Sequence, residues 1–335
     1  MGGAPVCRTC PAPSHLIYPV STLATKTRYQ HFCDAAPDLP LFMQPWYLDA
    51  VCEGGQWDVA LVEKGGRVVA AWPYFVKRKW GWTYISMPPL TRFMGPYLMP
   101  ENRTTQKETG FLNDLLVQMP PLAAFEQDFN YTATNWLPLY WRGFRQTTRY
   151  SYTLDILDLD RVWQNLAPDY RNQKIPKARE QVAVHTGGSL SEFYRVHNLS
   201  FERQSLQAPV SFEFLRRLDE ALATHGRREI FFATDLGNGT IHSVAYLVWD
   251  QHSAYYLLAG DDPGLRASGA GILIAWEAIR YAHEVLHLPV FDFAGSMVQS
   301  IERVRRQFGA RQQPYFRVQR EWSFLWKWGK MAFRS

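Results

Sequence analysis

The chain has 335 residues, 47% of them hydrophobic and 20% charged, with a net charge of +5. That balance excludes a disordered chain, and no apolar run approaches the roughly 20 residues that a bilayer-spanning helix needs. The length exceeds what one core usually serves and predicts two domains, while the small positive excess suits anionic cofactors, nucleotide-linked substrates, RNA or a membrane surface without selecting one.

Aromatic residues make up 15% of the chain, enough for broad apolar grooves as well as a core. Residues 1–30 are expected to form a flexible leader, and they lack the charged start, apolar stretch and cleavage pattern of a secretory signal. A cytoplasmic location is therefore expected. Four cysteines in so long a chain make no disulfide framework. Cys7 and Cys10 form a C-x-x-C without a second pair, and it is assigned to the leader rather than to a metal or redox centre.

In chain order, Trp57–Val62, the turn Lys64-Gly65-Gly66 and Val68–Val76 predict a β-hairpin. The strand Trp82–Ser86, the Pro/Gly loop Met87–Pro96, a short helix Phe111–Met119 and a strand Tyr131–Asn135 follow. A boundary is placed near Thr148. Ser151–Leu157 then opens the second half as a strand. Val162–Glu180 and Ser191–His197 read as helical, and Phe212–Thr224 as an amphipathic helix. The opening order now repeats. Ile230–Thr234, Gly237-Asn238-Gly239 and Ile241–Trp249 make a hairpin, Ala254–Ala259 a third strand and Gly260–Gly271 a loop. Ile272–Leu286 follows as a helix with Ile272, Ala275, Trp276, Ile279 and Leu286 in one stripe, and Val290–Phe293 as a last strand. The echo predicts two α/β lobes of one design, residues 31–148 and 149–318. A tail, residues 319–335, alternates bulky and basic side chains from Arg320 to Arg334. It suits packing on the second lobe or peripheral contact with the inner face of a membrane.

Three segments carry more than periodicity. Tyr170-Arg171-Asn172-Gln173-Lys174-Ile175-Pro176-Lys177-Ala178-Arg179 is basic and helical. Phe201-Glu202-Arg203 follows the Phe193-Tyr194 helix. Phe291-Asp292-Phe293-Ala294-Gly295-Ser296 leads through Ile301 to Val304-Arg305-Arg306-Gln307-Phe308-Gly309. In this order they resemble the R-x-x-I-x-K-A helix, a second segment and the F-D-F-G-G-S … F-K-x-x-F-G signature of Fem-type peptidoglycan aminoacyltransferases, within the GNAT-like acyltransferase superfamily. The first half agrees more loosely, through Leu39-Pro40-Leu41-Phe42, Trp57 and the loop Pro88-Pro89-Leu90-Thr91 to Gly95-Pro96. The resemblance implies an α/β (α+β) chain of two tandem GNAT-like lobes, each a mixed, mostly antiparallel sheet flanked by helices. It also implies transfer of an activated acyl group to an amine. Where the family has a lysine this chain has Arg305, which keeps the charge but replaces a point donor with a planar fork.

Amide formation from a thioester or aminoacyl ester needs a neutral amine, a held carbonyl and a stabilised oxyanion, but no enzyme nucleophile. The chain has no G-x-S-x-G elbow. Arg266-Ala267-Ser268-Gly269-Ala270-Gly271 matches the R/Q-x-x-G-x-G/A loop by which GNAT enzymes bind the pyrophosphate of acyl-CoA. Small residues let backbone N–H groups approach phosphates, and the positive helix end favours an anion. Arg266, Ser268, Gly269, Ala270 and Gly271 are thus expected to hold acyl-CoA as co-substrate, with no tightly bound cofactor; an ordinary loop opening a helix would read the same. Asp292, between two phenylalanines, is either the amine's proton acceptor or a carboxylate capping the next turn. Glu302 and Arg305 share a helical face at i, i+3, as an oxyanion donor with its tuning partner or as a surface ion pair. Arg171, Lys174, Lys177, Arg203 and Tyr97 are the expected acceptor contacts, although a basic run is also what a solvated face looks like.

The acceptor is expected to be an amine of a small molecule or envelope precursor, and DNA is not an expected partner. An aminoacyl-tRNA donor is the alternative, followed by a non-catalytic module that binds an envelope precursor. A zinc hydrolase is the remote one, because His283-Glu284-Val285-Leu286-His287 is a literal H-E-x-x-H. Leu288-Pro289 stops the helix just after it, and no metal is expected.

Overall fold

The computed structural model describes residues 23–202, 208–295 and 297–322. Helices α1 (Leu23–Ala35) and α2 (Pro45–Val51) lead into strands β1 (Gln56–Lys64), β2 (Arg67–Lys79), β3 (Trp82–Ser86) and β4 (Tyr97–Leu98). Next come α3 (Thr105–Leu116), β5 (Ala124–Asp128) and α4 (Leu137–Trp141). The second half holds β6 (Arg145–Asp155), α5 (Leu159–Asn165), a π-helical turn (Tyr170–Lys174), α6 (Ile175–Arg179), β7 (Val182–Thr186), α7 (Leu190–Glu202) and α8 (Phe212–Thr224). It continues with β8 (Arg228–Asp235), β9 (Ile241–Trp249), β10 (Ser253–Asp261), α9 (Ala270–Glu284), β11 (Val290–Asp292), α10 (Gln299–Gln307) and β12 (Arg311–Glu321). Among the described residues no helix is long and apolar enough to cross a membrane.

The echo read from the sequence is visible in the pairing. In the first half β1, β2 and β3 run antiparallel in turn, α3 crosses over, and β5 returns parallel to β3. In the second half β8, β9 and β10 repeat this, α9 crosses over, and β11 returns parallel to β10. Each crossover needs a helix because parallel neighbours cannot be joined by a tight turn.

The lobes share one sheet of twelve strands, in the order β1-β2-β3-β5-β12-β6-β11-β10-β9-β8-β7, with β4 off β2. The bridge is β12, antiparallel to β5 on one side and to β6 on the other. The boundary placed near Thr148 therefore falls inside β6, opposite Phe316 of β12. Tyr131–Asn135 is a turn and loop; the strand in that region is β5, a few residues earlier. Val162–Glu180 is broken at Leu166, and its second part opens with the π turn. Four positions separate Arg171 from Ile175, one more than in R-x-x-I, and a π turn is the way a helix absorbs one extra residue. Residues 23–30, expected in the leader, are instead the first turns of α1. Cys7, Cys10, Arg203, Ser296 and the tail beyond Trp322 lie outside the described residues.

Two cores sandwich the second-lobe sheet. One lies under α9 and α6 and contains Tyr256, Trp276, Phe291, Phe293 and Phe308. The other mixes the lobes, packing Leu41, Phe42, Tyr47 and Phe93 against Phe193, Leu218, Tyr246 and Tyr255. Phe42 meets Tyr255 edge to face at 4.9 Å, and the Leu41 N–H donates to Asp250 Oδ2 at 3.2 Å. The lobes are thus held by apolar burial reinforced by specific bonds.

Gly260 shows how closely α7 lies on β10. A Cβ there would stand 2.4 Å from His197 Cα and 3.0 Å from its nitrogen. Backbone opposes backbone, so relief requires the helix to move. Gly260→Ala is expected to destabilise the protein by about 2 kcal/mol or more, seen as a lower denaturation midpoint at an unchanged m-value.

Candidate active site

β10 and β11 pair only over Ser253–Val290, Ala254–Phe291 and Tyr255–Asp292, and then part. Just beyond, the register of β10 against β9 jumps between Tyr256 and Leu258, which makes Leu257 a bulge. Bulges bend a strand and re-aim its side chains. The result is a wedge-shaped opening in the sheet with Asp292 at its vertex.

Asp292 is fully buried. One carboxylate oxygen accepts hydrogen bonds from the Ser151 hydroxyl and from the Ala294 N–H at 2.7 Å. The other, Oδ2, has no hydrogen-bond partner among the described residues. Burial pushes its pKa up to about 6, against the pull of those two bonds and of Arg92 and Arg305. One oxygen thus fixes the turn that follows β11.

Arg305 approaches the vertex from the face covered by α9. Its guanidinium lies 4.8 Å from the centre of the Phe293 ring and 5.5 Å from that of Tyr256. Burial lowers its pKa to about 10, and its Nε has no hydrogen-bond partner among the described residues. Arg92 approaches from the first lobe. It sits in the loop between β3 and β4, and its Nη2 donates to the carbonyl of the bulged Leu257 at 3.1 Å. Burial lowers its pKa as well, and its Nε is also unpartnered among the described residues. Tyr131 lies close enough for Asp292 to raise its pKa further, after burial, and Tyr315 neighbours Arg92. The sequence reading passed over Arg92, Tyr131 and Tyr256. The available signal was a lone arginine inside the apolar run Leu90-Thr91-Arg92-Phe93-Met94, where a cation has to find a purpose.

The glycine loop sits at the far end of the same strand. Arg266–Ser268 is a 3₁₀ turn, Gly269 is left-handed at φ 76°, and α9 starts at Ala270. Ser268 Oγ donates to the Leu265 carbonyl at 2.8 Å and accepts from the Ala270 N–H at 3.3 Å. A Cβ on Gly269 would come to 3.4 Å from the Lys174 carbonyl, so the π turn packs close over this loop. Asp261, the last residue of β10, turns its carboxylate towards the start of α9, where a Cβ on Gly271 would meet it at 2.6 Å. Ser243 Oγ donates to that carboxylate at 2.7 Å, and Arg266 Nε stands 4.0 Å from it. Tyr256 lies near both Asp261 and Arg305, so loop and vertex share one stretch of β10.

Other expected site residues are not brought to the vertex. Glu302 pairs with Arg306 at 3.4 Å, one residue further along α10 than Arg305. Arg171 donates to the Gln164 carbonyl at 2.8 Å, and Lys174 pairs with Asp169 at 2.7 Å. Lys177 is exposed. The inward side of this segment is Tyr170, Ile175 and Ala178, which leaves the basic run outside. Tyr97 is buried in the first lobe, where its hydroxyl donates to Asp38, which Arg103 grips at 2.7 and 2.8 Å. There it lines a small concavity of about 40 Å³ with Pro96, Arg103 and Asn135, away from the vertex. The H-E-x-x-H is not a ligand set either. α9 ends at Glu284, and His287 lies past it at φ 53°. His283 Nδ1 bonds to the Ile156 carbonyl, and Glu284 is held by Arg280. Among the described residues no three His, Cys, Asp or Glu side chains gather to hold a metal. One large concavity, about 600 Å³ between Leu116, Trp141, Phe144, Arg320 and Trp322, has no titratable side chain on its wall except arginine.

Residues 170–302 match the family model described as an acetyltransferase (GNAT) domain. No curated protein matches the chain. Among solved structures, FemX superposes with a TM-score of 0.68 at 14% identity, over 87% of this chain and 95% of that one. A tandem GNAT protein from the clavulanic acid biosynthesis pathway gives 0.56 at 13% identity, over 89% and 95%. The C-terminal domain of a putative lysylphosphatidylglycerol synthetase from Agrobacterium fabrum gives 0.52 at 12% identity, over 88% and 92%. The chain therefore has the tandem GNAT-like fold of the Fem type, and the part that matches the GNAT family holds both Asp292 and the glycine loop.

Proposed function

We propose that the chain transfers an acyl group from an activated ester or thioester to an amine of a small molecule or envelope precursor. The observation that carries this reading is the Asp292 carboxylate, buried, fixed by one oxygen and unpartnered among the described residues at the other, in the field of Arg92 and Arg305. In the step, the amine nitrogen attacks the donor carbonyl and its surplus proton passes to Asp292 Oδ2. The charge that develops on the carbonyl oxygen is met by Arg305. The C–O or C–S bond then breaks, an amide forms, and the released alcohol or thiol carries the proton away. The putative lysylphosphatidylglycerol synthetase domain supports an envelope acceptor by the lipid in its name.

Two donors fit this chemistry. Acyl-CoA is supported by the small residues and left-handed glycine that open α9. An aminoacyl ester carried by tRNA is supported by Asp261, whose carboxylate already faces the helix start that a pyrophosphate would occupy. Mass spectrometry of purified protein with acyl-CoAs or charged tRNA and a panel of amines tests the proposal, and no amide product from either donor would overturn it. If acyl-CoA is the donor, Asp261→Asn should tighten its binding several-fold and Arg266→Ala should weaken it. If the donor is aminoacyl-tRNA, neither change should affect its use through this loop.

A further inference from the structure

The vertex holds more positive than negative charge. Asp128, the nearest other carboxylate to Arg92, is already matched by Arg317 at 2.6 and 2.7 Å. Asp250 is tied to the Tyr255 hydroxyl at 2.8 Å and to the N–H groups of His252 and Ser253. Those neutral donors leave the charge of Asp250 in place, but it is not among the main influences on either arginine, so at the vertex Arg92 and Arg305 face Asp292, a surplus of one cation even when Asp292 is ionised. A simple amine arrives as an ammonium and would add a second. The oxyanion formed during transfer is too short-lived to balance the bound state. A half-buried cation without an ion-pair partner is unfavourable, so the site favours an acceptor that brings a negative group.

We propose that Arg92 is a carboxylate-binding specificity residue and that the acceptor is an aminocarboxylate, its amine on Asp292 and its carboxylate on Arg92. Arg92 is anchored through Nη2 to Leu257, and its Nε is left to donate. A guanidinium suits this task because its planar fork offers paired donors to a carboxylate. A monoanion matches the single surplus charge. A phosphate dianion would exceed it and lie next to Asp292. This inference rests on the transferase reading for its amine, but its test does not require turnover.

Binding of free amino acids, their amides and the matching decarboxylated amines should be measured by calorimetry on the full chain and on Arg92→Ala. At least one amino acid is expected to bind the full chain, with its amide and its decarboxylated amine weaker by roughly 30-fold or more. Arg92→Ala should erase that preference, and Arg92→Lys should restore part of it. If Arg92→Ala does not fold, Arg92→Gln, which can still donate to Leu257, carries the same comparison. Equal binding of acids and amides, or no binding of any amino acid, would overturn the assignment. Amide products formed without any preference for carboxylate-bearing acceptors would leave the transferase standing and remove Arg92 from its specificity.

Discussion

Asp292→Asn is expected to lower turnover by roughly 10²- to 10⁴-fold while leaving the fold as stable as before, or more so, at neutral pH. An amide cannot take the amine's proton, which accounts for the lost rate. The gain in stability follows from burial. The folded chain holds this carboxyl at about 6, against an ordinary value of 3.8. Between those values the folded chain keeps a proton that the unfolded chain has released. Stability therefore falls as pH rises through that window, and above about pH 6 the buried charge costs about 3 kcal/mol. Asparagine carries no such charge, and its Oδ1 can still accept from Ser151 and Ala294.

Denaturation of both proteins at pH 7 and pH 4 checks this. The advantage of the variant should be full at pH 7 and gone near pH 4. The same carboxyl governs activity with the opposite sense. Only its ionised form accepts a proton, so kcat/KM of the native chain should rise through about pH 6. A variant that is both inactive and less stable at pH 7 would make Asp292 a structural carboxylate, with its lost activity a consequence of misfolding.

What could be read in the sequence was what is local. The two hairpins, the glycine loop and α9 announce themselves within short windows, through turn residues, strand-forming runs and a helical stripe. Asp292 and Arg305 were reachable because they lie thirteen positions apart in one segment that resembles a family motif. Arg92 was not, because its partner is a carbonyl of the other lobe, 165 positions away. The surroundings of Tyr97 are non-local for the same reason, since its hydroxyl meets Asp38, itself held by Arg103, only once the first lobe is folded. The faces of the basic run were not legible either, because a π turn shifts the helix faces that a 3.6-residue count assigns. Glu302 sits where either Arg305 or Arg306 could reach it, and sequence spacing alone does not choose.

β12 was the least legible element, and it supports the second large prediction: a chain ending at Ala310 will not fold, whereas one ending at Trp322 will. Residues 311–321 read as a mixture of arginine, glutamine and aromatic residues, with Val318 the only fully buried side chain. Nothing local marks them as a central strand. Yet they pair with nine residues of β6 and five of β5, so their removal opens two strand edges in the middle of the sheet. Exposed edges of this kind invite association between chains. Removal also strips Arg317 from Asp128, which is 6% exposed, and leaves a carboxylate buried without its cation. The shorter chain should show no cooperative unfolding transition and should aggregate, and the longer one should melt in a single step like the full protein. Because β12 holds Asp128 and Tyr315 beside Arg92, and β6 holds Ser151 against Asp292, the strand that joins the lobes also sets the two sides of the vertex. A folded, active protein ending at Ala310 would mean that each lobe closes its own sheet, and that the vertex forms without the bridge.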